Sequence, residues 1–97
     1  MSSTTFKAEK RLTDQVYVQI DCINEFALWD PNDQIASVIW TVEDGDVTVD
    51  DASNTITSCK TRVSGGTKLY SWHSVRATIT CASGQVYTPL IEIQLVR

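Results

Sequence analysis

Apolar and polar residues alternate along most of this chain with a period of two, the repeat of a β-strand with one buried face. From Gln15 to Ile23, Val16, Val18, Ile20 and Cys22 share one face, and Tyr17, Gln19 and Asp21 the other. The longest alternating run is Tyr70 to Cys81. His73, Val75, Ala77, Ile79 and Cys81 lie on one side; Trp72, Ser74, Arg76, Thr78 and Thr80 lie on the other. Val86 to Val96 sets Tyr87, Pro89, Ile91, Ile93 and Leu95 in phase. Pro89 cannot donate to a ladder and predicts an edge position or a bulge. Ala36 to Val42 is apolar on both faces, with Val38, Trp40 and Val42 opposite Ile39, which predicts a strand inside a sheet.

Turn residues punctuate these runs. Asp30-Pro31-Asn32-Asp33 closes an irregular stretch containing Phe26, Leu28 and Trp29. Asp44-Gly45 at the centre of Glu43 to Asp46 predicts a hairpin into a short strand at Val47 to Val49. Asp50 to Asn54 reads as a loop, Thr55 to Val63 as a Thr-rich strand, and Ser64-Gly65-Gly66-Thr67 as a corner where positive φ is tolerated. No helical period is evident. About seven short strands at this spacing predict an all-β, immunoglobulin-like β-sandwich. Its expected core includes Val18, Ile20, Trp40, Val75, Ile79, Ile91 and Ile93. Cys22, Trp40 and Cys81 invite comparison with the Cys, Trp, Cys framework of antibody domains. Ile79 stands where the tyrosine corner would place Tyr, so the expectation is the sandwich without membership of the antibody family.

The 97 residues suit one domain: an extended N-terminal arm over 1–13, then the sandwich over 14–97. The arm is polar, with Phe6 and Leu12 as candidate anchors on a neighbouring subunit. A net charge of −4 with scattered Lys and Arg argues against nucleic acid and anionic membranes. The first residues lack the apolar core of a secretory signal, and no apolar run reaches transmembrane length. Three cysteines, Cys22, Cys59 and Cys81, without a CxxC pair read as small buried hydrophobes, with one disulfide such as Cys22–Cys81 as the alternative.

The search for chemistry yields little. The one histidine, His73, is in phase with core residues and has no evident nucleophile to serve. Glu43, Asp44, Asp46, Asp50 and Asp51 have the composition of a hard-cation site but not the spacing of an EF-hand, and read as a solvated acidic hairpin. The Ser-Gly-Gly corner lacks the Lys-Ser/Thr of a phosphate loop. No catalytic or metal residue and no cofactor is expected. Trp72, off the core face, together with Trp29 and Tyr70, would serve a protein contact or stack on sugar.

The Trp strand with its Gly turn (SVIWTVEDGDVTV), the run into TRVSGGT, the alternating HSVRATITCASGQ and the closing IEIQLVR resemble a family of small immunoglobulin-like virion proteins of tailed bacteriophages, the fiber-tail adaptor or head-tail region proteins. The likeness extends upstream to Lys10. It departs from the family at Cys22, where Trp is usual, and at His73, where Tyr is usual. The resemblance implies a non-catalytic adaptor joining tail or baseplate to fibers, in a virion assembled in the host cytoplasm. Its partners would be other virion proteins and copies of itself. A capsid decoration protein or a carbohydrate-binding adhesion module are the alternatives.

Overall fold

Two sheets take up the alternating strands. The structure is a computed structural model and describes residues 5–97; residues 1–4, the beginning of the expected arm, lie outside the described residues. The elements are β1 (Thr5–Arg11), β2 (Val16–Asp21), α1 (Ile23–Trp29), β3 (Ile35–Asp44), β4 (Val47–Asn54), β5 (Ser58–Gly65), β6 (Trp72–Cys81), β7 (Val86–Tyr87) and β8 (Leu90–Val96). The larger sheet has the order β1-β8-β6-β3, with β7 also on β6; the smaller is β2-β5-β4. Together they form a sandwich.

The core lies between the sheets. Val75, Ala77 and Ile79 of β6 and Ile93 and Leu95 of β8 have no exposed surface, and Ile91 is nearly as buried. They meet Val18 and Ile20 of β2 and Cys59 and Val63 of β5. Burying one such aliphatic side chain stabilises the fold by about 1.5–3 kcal/mol, so this layer is the main source of stability. Trp40 is half-buried and packs against the same cluster together with Val38 and Val42. Pro89 falls at the break between β7 and β8, and its carbonyl still accepts the Ala77 N–H at 3.1 Å.

Five features differ from the sequence reading. Residues 5–11, expected in an arm, form β1, hydrogen-bonded in parallel to β8 from Thr5 opposite Leu90 to Arg11 opposite Val96. The alternation there is carried by Phe6, Ala8 and Lys10, and a lysine on the inward face disguises it. Ile23–Trp29 is a helix of two turns, too short to show a 3.6-residue period. It docks through Phe26, whose ring lies 6.0 Å from that of Tyr87. The Asp44-Gly45 turn makes no hairpin, because β3 and β4 belong to different sheets. Strand β4 runs through the expected loop to Asn54, with a register shift between Asp50 and Ser53 and a positive φ of 50° at Asp51. Finally, β3 is an edge strand. Its inward face is apolar because the opposite sheet covers it, while Ile39 on the outward face is 65% exposed.

Candidate interaction surfaces

The ends of the sandwich are fixed by polar locks that hold the loops carrying exposed apolar side chains. At the Cys81 end of β6, buried Asp33 accepts the Ser83 hydroxyl (2.6 Å), the Ser83 N–H (3.1 Å) and the Gln34 N–H (2.9 Å). This ties the loop after α1 to the turn between β6 and β7. At the opposite end, Asp46 accepts the Thr67 hydroxyl at 2.5 Å and the Thr67 N–H at 3.1 Å. The Asp46 N–H donates to Nδ1 of fully buried His73 at 3.2 Å. Nδ1 is thus an acceptor, so the ring proton sits on Nε2, a buried donor without a hydrogen-bond partner among the described residues. Lys10, 1% exposed, donates from Nζ to the carbonyls of Arg11 (2.9 Å), Leu12 (3.2 Å) and Gly65 (2.9 Å), and so ties β1 to the end of β5 in the other sheet. Sequence reasoning missed Asp33 and Lys10, since neither position looks different from a surface charge.

These locks set an acid limit on stability. The Ser83 hydroxyl holds the Asp33 carboxyl below the usual carboxylate range, the Thr67 hydroxyl does so for Asp46, and the Arg62 guanidinium for Asp50. A lowered folded-state value favours the ionised native form. The resulting stability is present above the unfolded value, about 3.9, and is lost as pH falls through the lower folded values. Urea titrations are expected to give a lower midpoint at pH 3 than at pH 7. Asp33→Asn is expected to narrow that difference; an unchanged pH dependence would dismiss Asp33 as a contributor.

The five side chains singled out for contacts fall into separate places. Trp29 is 58% exposed at the end of α1, beside Leu28 (76%) and Ile23 (54%) on the same helix. Ile56, 55% exposed, belongs to the same end: its carbonyl accepts the Ile35 N–H at 2.8 Å, and Ile35 pairs with Cys81. Tyr70 and Trp72 lie at the far end of β6. Tyr70 adopts a φ of 59°, donates its N–H to the Leu95 carbonyl and accepts the Gln94 side chain. Trp72 projects from the outer face with the Lys7 ammonium 5.4 Å above its ring. Leu12 joins this end through its N–H bond to Val96. Phe6 belongs to neither: it is exposed and pairs in register with Ile91.

The remaining groups are chemically quiet. Burial pushes the Cys59 thiol up to about 12 and the Cys81 thiol to about 11, so neither is a thiolate at neutral pH. Among the described residues no three His, Cys, Asp or Glu side chains converge as a metal site. A cavity of about 290 Å³ beside the β4 bulge is walled by polar residues including Gln19, Asn54 and Lys60, unlike the apolar walls of most ligand pockets. No helix among the described residues is long and apolar enough to cross a membrane.

These features define a class: a small two-sheet β-sandwich that displays apolar side chains at both ends. The family model described as "Podophage GP4 fiber-tail adaptor protein gp77" matches residues 10–94, and the chain belongs to that family of structural phage adaptors. It is thereby a component of the virion. Among solved structures, the 2,6-sialyltransferase of Vibrionaceae Photobacterium sp. JT-ISH-224, in a ternary complex with CMP and lactose, is similar over 98% of this chain at 15% identity, with a TM-score of 0.59. The chain spans 18% of that enzyme's chain, and the likeness is one of fold alone. No curated protein sequence matches.

Proposed function

We propose that this adaptor grips its two virion partners, tail and fiber proteins, through separate surfaces at opposite ends of the sandwich, and that it works without catalysis, nucleic acid or membrane. One observation carries the two-ended reading. Trp72 opens β6 and Cys81 closes it, and most of the exposed large apolar side chains among the described residues lie near one end or the other, with Phe6, Tyr17 and Ile39 exposed outside the two groups. Ten residues of strand separate the two groups by about 30 Å. One surface is the α1 end with Ile23, Leu28, Trp29 and Ile56; the other is Tyr70, Trp72 and Leu12. Exposed apolar side chains grouped in this way are characteristic of protein contacts, and aromatic anchors dominate their energies. Supporting the absence of nucleic acid, no Lys or Arg occurs from residue 12 to 59, a span with ten acidic residues. Assembly in the host cytoplasm fits a chain delivered inside a virion.

Capture of purified tail and fiber proteins by the immobilised chain tests this reading. Trp29→Ala is expected to weaken one partner by about 30-fold or more and Trp72→Ala the other, with circular dichroism unchanged in both. Retention of both partners by both variants would overturn it.

A further inference from the structure

The larger sheet ends in two edges of opposite character. Strand β3 forms one and β1 the other. Edge strands are ordinarily guarded by a charge, a proline or short length, because their unpaired backbone groups invite another strand. From Ile35 to Val42, β3 has neither charge nor proline. Its register on β6 is regular from Ser37 to Val42, with shifts only beyond that run.

The direction of its free groups follows from the ladder. The Ala77 N–H donates to the Pro89 carbonyl, away from β3. In antiparallel pairing the N–H and C=O of one residue point to the same side. Trp40, opposite Ala77, therefore turns its own backbone groups to the free edge, and alternation adds Val38 and Val42. Among the described residues no strand covers these three edge-facing positions.

We infer that the free edge of β3 receives β1 of a second copy of this chain. Charge selects that occupant. Antiparallel pairing of β3 with another β3 would bring Asp44 of one copy to the Ile35 end of the other, where the strand carries no Lys or Arg to meet it. Strand β1 instead carries exposed Lys7 and Arg11 around Glu9, and among the described residues its far edge has no strand on it. Strands β3 and β8 both run antiparallel to β6, and β1 runs parallel to β8, so β1 and β3 point the same way. A neighbour placed beside β3 in the same orientation brings its Arg11 to the end carrying exposed Asp44. Glu43 at that end already pairs with Arg76, which leaves Asp44 as the partner. The contact joins two different patches, so it repeats from copy to copy and closes into a ring where the rotation permits. It leaves both end surfaces open to tail and fiber partners, and it stands or falls independently of them.

Sedimentation velocity of the full chain from micromolar to sub-millimolar concentration tests the inference, alongside hydrogen exchange. The wild type is expected to self-associate, with the amides of Val38, Trp40 and Val42 gaining protection as concentration rises. Ile39→Lys, at an exposed site, is expected to raise the dissociation constant at least about 30-fold while circular dichroism stays native. Arg11→Glu and Asp44→Arg are each expected to raise it about tenfold, and the double variant to restore association. A wild type that stays monomeric, association that leaves those three amides unprotected, or failure of the double variant to recover would each overturn the inference. Capture of tail and fiber proteins by Ile39→Lys keeps the adaptor reading separately measurable.

Discussion

Gly45→Ala unfolds this domain under conditions where Gly84→Ala leaves it folded. The two glycines have nearly the same backbone, with φ of 101° and 93°. A methyl group therefore costs about the same conformational strain at each, roughly 1 kcal/mol or slightly more. The surroundings differ. A Cβ on Gly84 meets nothing within 4 Å; on Gly45 it falls 1.9 Å from Nδ1 and 2.6 Å from Cγ of His73. His73 is wholly buried and cannot move aside without breaking its bond from the Asp46 N–H. The expected cost at Gly45 is about 4 kcal/mol or more, a large share of the roughly 5–15 kcal/mol that holds a typical domain together. Urea midpoints of both variants measure the gap. Removing the ring as well, in Gly45→Ala with His73→Ala, is expected to cost less than the two single changes summed. Equal midpoints for Gly45→Ala and Gly84→Ala would show that the His73 contact is not what excludes a side chain.

Lys10→Met is the second large effect. Methionine keeps much of the length and apolar stem of lysine but donates nothing. Three carbonyls then lose an ammonium donor, one of them Gly65 in the opposite sheet. Hydrogen bonds from a charged donor contribute about 1.5–3 kcal/mol each at best, and water recovers part of that once β1 loosens, so a net loss of about 2–4 kcal/mol is expected. The loss is local in origin. Amide exchange should accelerate first along Thr5–Arg11 and only later in β6. A variant with the wild-type midpoint and unchanged exchange in β1 would mean that the parallel ladder to β8 holds the strand by itself.

The parts of the fold most legible in the sequence are those where one physical signal acts alone. His73 to Cys81 alternates without interruption because one face of β6 is wholly covered and the other is not. Val86 to Val96 was legible for the same reason, with Pro89 marking the break between β7 and β8. What sequence could not convey is which neighbour a strand has. Ile39 and Val38 are equally apolar, yet one faces water and the other the opposite sheet, so β3 read as an interior strand while lying at an edge. The Asp-Gly pair encodes a sharp turn, not whether the chain returns to the same sheet. In β1 the inward position is filled by Lys10, whose hydrocarbon stem is buried and whose charge is met by carbonyls, and a pattern of apolar residues cannot reveal that. Of the candidate contact residues, the exposure of Trp72 followed from its phase in β6. Leu28 and Ile23 were not singled out, because their role depends on a helix too short to show its period.

The pairing of β1 with β8 also fixes the order in which the molecule can be completed. The strand nearest the start of the sequence takes its ladder from the strand nearest the end, and β8 itself lies between β1 and β6. During synthesis β1 emerges early and has no partner until Leu90–Val96 has left the ribosome. Contacts between such distant segments close slowly, since the loop entropy is lost before any pairing compensates for it. Until Trp72–Cys81 and Leu90–Val96 have been made, the larger sheet therefore has only β1 and β3, which are not neighbours in it. The larger sheet is completed only with β8, and the bond from Lys10 to Gly65 of the other sheet is held in place once β1 has docked on that strand.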